Sequence, residues 1–363
     1  MTLAQQFAAY HEWRNQLAGG LSDFRRWLSD NELCDAQTDQ RIDRLLEKLR
    51  EDRLHVAFVA EFSRGKSELI NAIFFAYYGN RMLPSTAGRT TMCPTELMYD
   101  MSKPACIELL PIETREADTS ISELKRFPDV WKSIPLDTDS PDAMQEALRS
   151  VSEVRLVSKE TAGRLGFLAT EESGPNAAII TAGDQVEIPR WRHAVINYPH
   201  PLLQQGLVIL DTPGLNAIGA EPELTLSLLP NAHAILFILA ADTGVTQSDL
   251  AIWNEHIGTR GGRNKGRIVV LNKIDGLWDE LKTGSEIEAE IDKQVQSSAL
   301  TLGLSASQIF PISAQKGLVA RINGDDALLE RSRLPALELA LSQELIPAKQ
   351  DIVYENTEAE FSD

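Results

Sequence analysis

Residues 54–67 read Leu-His-Val-Ala-Phe-Val-Ala-Glu-Phe-Ser-Arg-Gly-Lys-Ser, and no other stretch of the chain restricts the fold as much. Seven mostly apolar residues, Leu54–Ala60, are followed by a short polar loop and then by a helical pattern over Lys66–Tyr77. A buried strand that runs into a loop and then a helix N-terminus presents several backbone N–H groups to one point, the arrangement that cradles phosphate. Gly65 permits a tight approach, Lys66 supplies a charge for the outer phosphates, and Ser67 offers a hydroxyl to a metal ion. Glu61, Phe62, Ser63 and Arg64 line the same loop. Ala60 departs from the usual P-loop pattern, which has Gly there, and a slightly displaced loop is expected.

Further short apolar runs follow at Ala105–Leu110, Leu207–Asp211, Ala234–Leu239, Ile268–Asn272 and Gln308–Ile312. Runs of this length without alternation are those of strands buried on both faces. Helical patterns at Gln247–Ile257 and Ser285–Leu302 separate several of them. The expected fold is therefore α/β: a mostly parallel, doubly wound sheet with helices on both faces. Between Ile112 and Ala194 the alternation gives way to a polar, Pro- and Ser-punctuated stretch, with helix around Asp142–Val151, expected as an insertion. Residues 1–53 carry a three- and four-residue apolar stripe (Leu3, Phe7, Tyr10, Leu17, Leu21, Phe24, Leu28). Gly19-Gly20 is expected to break or kink that helix, and Ile42, Leu45, Leu46 and Leu49 mark a second one. After Ile312, Asp325–Glu330 and Leu334–Leu345 read as helices ahead of an acidic tail.

Three more motifs close apolar runs, in a fixed order. Asp211-Thr212-Pro213-Gly214 puts a carboxylate where it can hold a metal-bound water, and the Gly214 N–H where it can reach a γ-phosphate. Asn272-Lys273-Ile274-Asp275 offers a carboxylate that accepts both N1–H and N2–H₂ of guanine, a pair adenine lacks. Asn272 can brace the loop and reach N7, while the Lys273 stem covers the base. Ser313-Ala314-Gln315 follows, where a backbone N–H can meet guanine O6. A site that pairs with one specific base edge rejects analogues strongly, since mismatched groups would stay buried and unpaired. GTP or GDP with Mg²⁺ is the expected ligand.

The 363 residues include 53 acidic and 35 basic ones, a net charge of −18, which opposes general binding to nucleic-acid phosphates or anionic lipid. The basic run Arg260, Arg263, Lys265, Arg267 is expected to be a solvated loop. Cys34, Cys93 and Cys106 have no metal-ligand spacing and are expected to be reduced thiols. Signal-peptide, membrane-spanning and lipidation patterns are absent, so a cytoplasmic chain with peripheral membrane contact at most is expected.

The order of these four motifs resembles the GTPase superfamily that includes Ras. The details resemble the dynamin superfamily, bacterial dynamin-like proteins in particular. The segment Leu83-Pro84-Ser85-Thr86-Ala87-Gly88-Arg89-Thr90-Thr91-Met92-Cys93-Pro94-Thr95 is similar to the dynamin switch I, and the wording of 62–72 adds to the match. The resemblance covers roughly Leu54 to Ala320. It implies a GTPase domain over 54–320 with an insertion at about 112–194, and hinge helices from 1–53 and 321–363. By the same resemblance Thr91, or Thr90 one residue away, would hold Mg²⁺ and position water beside Ser67 and Asp211. Low nucleotide affinity and hydrolysis stimulated by dimerisation, either as a homodimer or with a paired dynamin-like partner, are implied as well. So is a membrane-binding stalk, for which this chain is too short. Two departures touch catalysis: Phe62 stands where dynamin has Gln, and Leu215-Asn216 after the Asp-Thr-Pro-Gly turn provide no Gln either. Ser63 could then contact the attacking water, and Arg64 is a candidate charge stabiliser in cis or across a dimer. A partner-recruiting switch, or a scaffold with little catalysis, remain the alternatives.

Overall fold

The computed structural model describes residues 3–31, 33, 38–39, 41–43, 45–46, 53–61, 63–83, 93–117, 119–167, 181–182, 185–212, 229, 232–258, 267–341 and 343. The main sheet has nine strands: β1 (Leu54–Ala60), β2 (Thr95–Met98), β3 (Cys106–Pro111), β4 (Lys132–Pro135), β8 (Trp191–Asn197), β9 (Leu207–Asp211), β10 (Ala234–Ala240), β11 (Arg267–Asn272) and β12 (Ile309–Pro311). Their spatial order is β12-β11-β10-β1-β9-β2-β8-β3-β4. From β12 to β9 all neighbours are parallel, β2 then turns antiparallel to β9, and β3 is antiparallel to both β8 and β4. The fold is the mostly parallel α/β sheet expected from the apolar runs.

Strand side chains alternate between two cores. One face holds Val56, Phe58, Ile209, Leu236, Ile238 and Val270 against Leu69, Leu318, Leu334 and Leu337. The other holds Ala57, Val59, Leu210, Phe237, Leu239 and Leu271 against Trp253 and the stripe Ile287, Ile291, Val295, Leu302. Leu69 lies in α2 (Lys66–Ile70), Leu318 in α7 (Ala314–Asn323), and Leu334 and Leu337 in a helix over 334–341; Trp253 opens the π turn that follows α5 (Gln247–Ile252), and the Ile287 stripe belongs to α6 (Gly284–Leu302). The helix expected over Lys66–Tyr77 is α only as far as Ile70; a π turn over Asn71–Phe75 and a 3-10 turn over Ala76–Tyr78 complete it.

Strands β2 and β8 escape an apolar-run reading because they carry buried polar residues. Thr95 and Glu96 lie in β2, and Arg192, His193 and Asn197 in β8, all buried. The cost of burying them is offset by pairing. Glu96 Oε1 accepts from Lys125 Nζ at 2.5 Å and lies 3.1 Å from His193 Nε2. Burial pushes the Glu96 carboxyl up, and the hydrogen bond and charge of His193, with Lys125, outweigh it and hold the group well below the usual range.

The stretch expected as an insertion begins by supplying edge strand β4, and its final residues belong to β8 of the main sheet. Between these lie α3 (Pro141–Arg149), α4 (Lys159–Arg164) and a small antiparallel sheet of β5 (Val154–Ser158), β6 (Thr181–Ala182) and β7 (Gln185–Pro189), ordered β5-β7-β6. At the N-terminus, helix α1 (Leu3–Asp30) runs through Gly19-Gly20, contrary to the expected break. Each glycine costs about 1 kcal/mol relative to alanine, which is outweighed where Leu21 and Leu28 pack on Ile42 and Leu46. Arg25 adds a fork to Asp39 and Asp43. The two helices expected after Ile312 are present as α8 (Asp326–Ser332) and the helix over 334–341; residues 342, 344 and 345 of the second expected range lie outside the described residues. No helix among the described residues is long and apolar enough to cross a membrane. Leu49, Cys34 and the basic run 260–265 lie outside the described residues, whereas Arg267 begins β11.

Candidate nucleotide-binding site

Because β12, β11, β10, β1 and β9 run parallel side by side in one sheet, their C-terminal ends share an edge, and the four motifs leave the sheet there, after β1, β9, β11 and β12. Ala60 ends β1 in register with Ile238 and does not adopt a positive φ, so the position where Gly is usual is an ordinary strand residue here. The left-handed positions come later: Ser63 at φ 63° and Gly65 at φ 85°. At Gly65 a Cβ would stand 2.3 Å from Asn272 Nδ2, so both conformation and space require glycine. Ser63 is exposed and adopts a conformation unusual for a residue with a side chain. Lys273 at φ 65° is another, and such outliers concentrate at ligand loops.

Lys66 opens α2 with its ammonium on Asp211 Oδ1 at the end of β9, both nearly enclosed. Ser67 is buried beside it. Thr212 ties its loop back to β1 by donating Oγ1–H to Phe58 O at 2.9 Å. Asn272 joins three loops at once. Its Nδ2 donates to Arg64 O and its Oδ1 accepts from Ala314 N, both at 2.9 Å. One backbone N–H of the 313–315 turn is thus given to Asn272. Asp275 is oriented from the same turn: Ser313 Oγ donates to Asp275 Oδ1 at 2.6 Å while accepting from Lys316 N as the cap of α7. Gln315 is exposed in the first turn of that helix, and Lys273 Nζ lies 3.5 Å from Asp242 Oδ2. Glu61 is half-buried; Phe62, Thr90, Thr91 and Gly214 lie outside the described residues.

Arg64, the candidate charge stabiliser, makes its contacts within the protein. The residue is 8% exposed, with its guanidinium held by side chains of the protein. It donates to Thr243 Oγ1, Thr246 Oγ1, Glu61 Oε2 and, at 2.8 Å, Asp249 Oδ2. Thr246 and Asp249 form the capping box of α5, which brings this carboxylate, 0% exposed, to the loop. Arg64 thus fastens the phosphate loop to the 241–246 turn. A Thr-x-x-Asp capping box was legible in the sequence, but its partner 185 residues away was not.

The dynamin family model matches residues 56–274, more than half of the chain. A bacterial dynamin-like protein of Nostoc punctiforme is 34% identical over 157 residues, covering 42% of this chain and 21% of the relative. An uncharacterised protein from the xynA 3′ region of a Caldicellulosiruptor species is 23% identical over 308 residues, or 84% of this chain and 60% of that one. The chain therefore spans between about a fifth and three fifths of these curated relatives. Among solved structures, a chain of an oligomerised bacterial dynamin pair superposes with a TM-score of 0.55 at 16% identity, over 98% of this chain and 47% of the other, which speaks for the fold. The family match spans the phosphate loop, the Asp211 turn and the Asn272 loop alike, and the chain belongs to the dynamin family, with a GTPase domain.

Proposed function

We propose that this chain binds GTP with Mg²⁺ and hydrolyses it to GDP and phosphate, stimulated by nucleotide-dependent pairing with a second copy or a dynamin-like partner. The carrying observation is the Asn272 side chain, which joins the phosphate loop, the Asp275 loop and the 313–315 turn into one cradle. Lys66 and the N-terminal turn of α2 would hold the β- and γ-phosphates, with the Gly214 N–H added at the γ-phosphate. Asp275, held by Ser313, would take the guanine N1–H and N2–H₂ edge, with Lys273 over the ring. Oxygen donors suit Mg²⁺, which favours one or two protein ligands plus phosphates and waters. Ser67 and Asp211, the latter through water, fit that set beside Lys66, with Thr91 as the further ligand. When bound, the ion neutralises charge developing on the transferred phosphoryl group. Exposed Ser63 is the loop residue best placed to contact the attacking water, since Phe62 has no polar group. The domain division at about 54 and 320, with outer helices as a hinge, belongs to the same reading. So does a site of action in the cytoplasm or at the inner face of a membrane, supported by the tethering of membranes described for the dynamin pair.

Phosphate release from GTP and ATP, with Mg²⁺ and across protein concentrations, tests this. A GTP-specific rate per molecule that climbs with concentration is expected. Preference for ATP, or no release at any concentration, overturns hydrolysis of GTP; a flat GTP rate removes the stimulation by pairing.

A further inference from the structure

The residues read as guanine contacts lie on two turns, Ile274–Leu277 with Asp275 and the 313–315 turn, and the C-terminal end of α8 touches both. A helix leaves its last carbonyls without partners of its own. One of those of α8, Ser332 O, accepts from Ser313 N at 2.9 Å. Ser332 is fully buried, its Oγ donating to Leu329 O at 2.5 Å and accepting from Leu334 N at 3.3 Å. The docking is close: a Cβ at Gly317, on α7, would stand 2.9 Å from Leu334 and 3.2 Å from Ser332 Oγ. Ser313 is thus held from α8 through its N–H while its hydroxyl holds Asp275. On the other turn, Ile274 N donates to Ile312 O at 3.1 Å, and Trp278 N donates to Asp275 O at 3.2 Å, closing the 3-10 turn that carries the carboxylate. The half-buried indole of Trp278 packs against the core that contains Ile287 and Ile291. The Arg331 guanidinium lies over that ring, 4.0 Å from its centroid.

Arg333 pairs with Glu288, whereas the Arg331 guanidinium makes no hydrogen bond or ion pair among the described residues, so its cation is committed to the indole. A cleft floored by Ile287 and Ile291 opens beside this stack, and Arg331 itself is exposed, so its removal uncovers the ring without emptying a packed core. We propose that Arg331 is a positioning residue for guanine selection: stacked on Trp278 it holds the Asp275 turn, while Ser332 O beside it holds the 313–315 turn. One helix end then sets the spacing of the two halves of the guanine site. This rests on the reading of Asp275 as the guanine acceptor. Trp278, Arg331 and Ser332 belong to none of the four motifs and lie beyond residue 274, where the family match ends. The chemistry explains why positioning matters here. A carboxylate that accepts two parallel N–H bonds needs its plane fixed, and one that accepts a single bond needs it less. Loosening the turn therefore costs guanine more than hypoxanthine, which has N1–H and no 2-amino group.

The test titrates GDP and inosine diphosphate into the full chain and five variants: Arg331→Ala, Arg331→Lys, Trp278→Leu, the double variant Trp278→Leu/Arg331→Ala, and Glu330→Ala as a neighbouring control. GDP affinity should fall about twofold to fivefold in Arg331→Ala, the factor a cation–π contact at an exposed site supplies, and at least as far in Trp278→Leu. Affinity for inosine diphosphate should fall less, so the preference for GDP narrows. Arg331→Lys, which keeps a cation, should restore most of that preference, and Glu330→Ala should match the parent. The double variant should fall no further than Trp278→Leu alone, because the two side chains form one contact. Hydrogen exchange over 273–278 without nucleotide reads the same link and should quicken in Arg331→Ala and Trp278→Leu. Equal losses for the two nucleotides, or an unchanged preference in Arg331→Ala, overturn the positioning role. Losses that add in the double variant overturn it too, since the ring is then not what Arg331 acts through. A parent that binds neither nucleotide defeats the guanine reading instead, and parent-like exchange over 273–278 in Arg331→Ala then overturns the hold on the turn by itself.

Discussion

Replacing Arg64 with alanine would leave the Asp249 carboxylate, 0% exposed, with hydrogen bonds from Thr246 N and Thr246 Oγ1 and no cation. Asp249 Oδ1 already makes no hydrogen bond within the described residues, so its charge leans on the Arg64 guanidinium. Removing one partner of a buried ion pair costs about 3–5 kcal/mol, because the other is left uncompensated. The two Thr246 bonds soften that, and about 3 kcal/mol is expected, a large share of a typical domain's stability. Urea unfolding of the parent, Arg64→Ala, Asp249→Asn and the double variant closes a cycle. Asp249→Asn removes the orphaned charge, so the double variant should regain at least about half of the loss. A guanidinium acting on the phosphates predicts otherwise: a turnover loss of about 10³–10⁵ with stability nearly intact. A stability loss below about 1 kcal/mol, no recovery in the double variant, and turnover lower by three orders of magnitude would together refute the bracing role.

Three further outcomes are expected. Gly65→Ala puts a Cβ against Asn272 at a left-handed φ, and should weaken nucleotide affinity more than about tenfold; parent-like titration with a fluorescent GDP would exclude that steric account. Ser313→Ala frees Asp275 and should raise the KM for GTP by about three- to tenfold with kcat unchanged, while Ser313→Thr restores it; a kcat effect alone would contradict the orienting role. Burial, with the charge of Arg321, brings the His200 imidazole down to about 4. Burial and then the neighbouring His233 do the same for His55. Both bind protons more readily unfolded, near 6.5, so their contribution to stability is complete above pH 6.5 and is lost as pH falls toward 4, by up to about 3 kcal/mol each. His200→Asn keeps an acceptor for Leu202 N and should flatten that acid limb; an unaltered pH slope would show that His200 does not titrate with unfolding.

Much of the molecule was legible because its signals are local. Apolar runs without alternation marked β1, β3, β9, β10, β11 and β12, since a strand covered on both faces must be apolar throughout. The nucleotide motifs were legible because phosphate and guanine chemistry demands particular residue types within a few positions of one another, at the ends of such strands. Tertiary structure decided what depends on distant partners. Strands β2 and β8 hide behind polar residues that distant partners make tolerable in the interior: Lys125 and His193 for Glu96, and backbone carbonyls for Arg192 and Asn197. Ala60 proved an ordinary strand residue because the loop takes its left-handed turns at Ser63 and Gly65. Arg64 could face a phosphate or the protein, and a carboxylate on α5 settled its direction. The stretch expected as an insertion places Met144 and Leu148 within the main core, and its Gln145 meets Arg81. A sequence pattern records which face of an element is apolar; which remote group that face or charge meets is fixed only when the chain closes on itself.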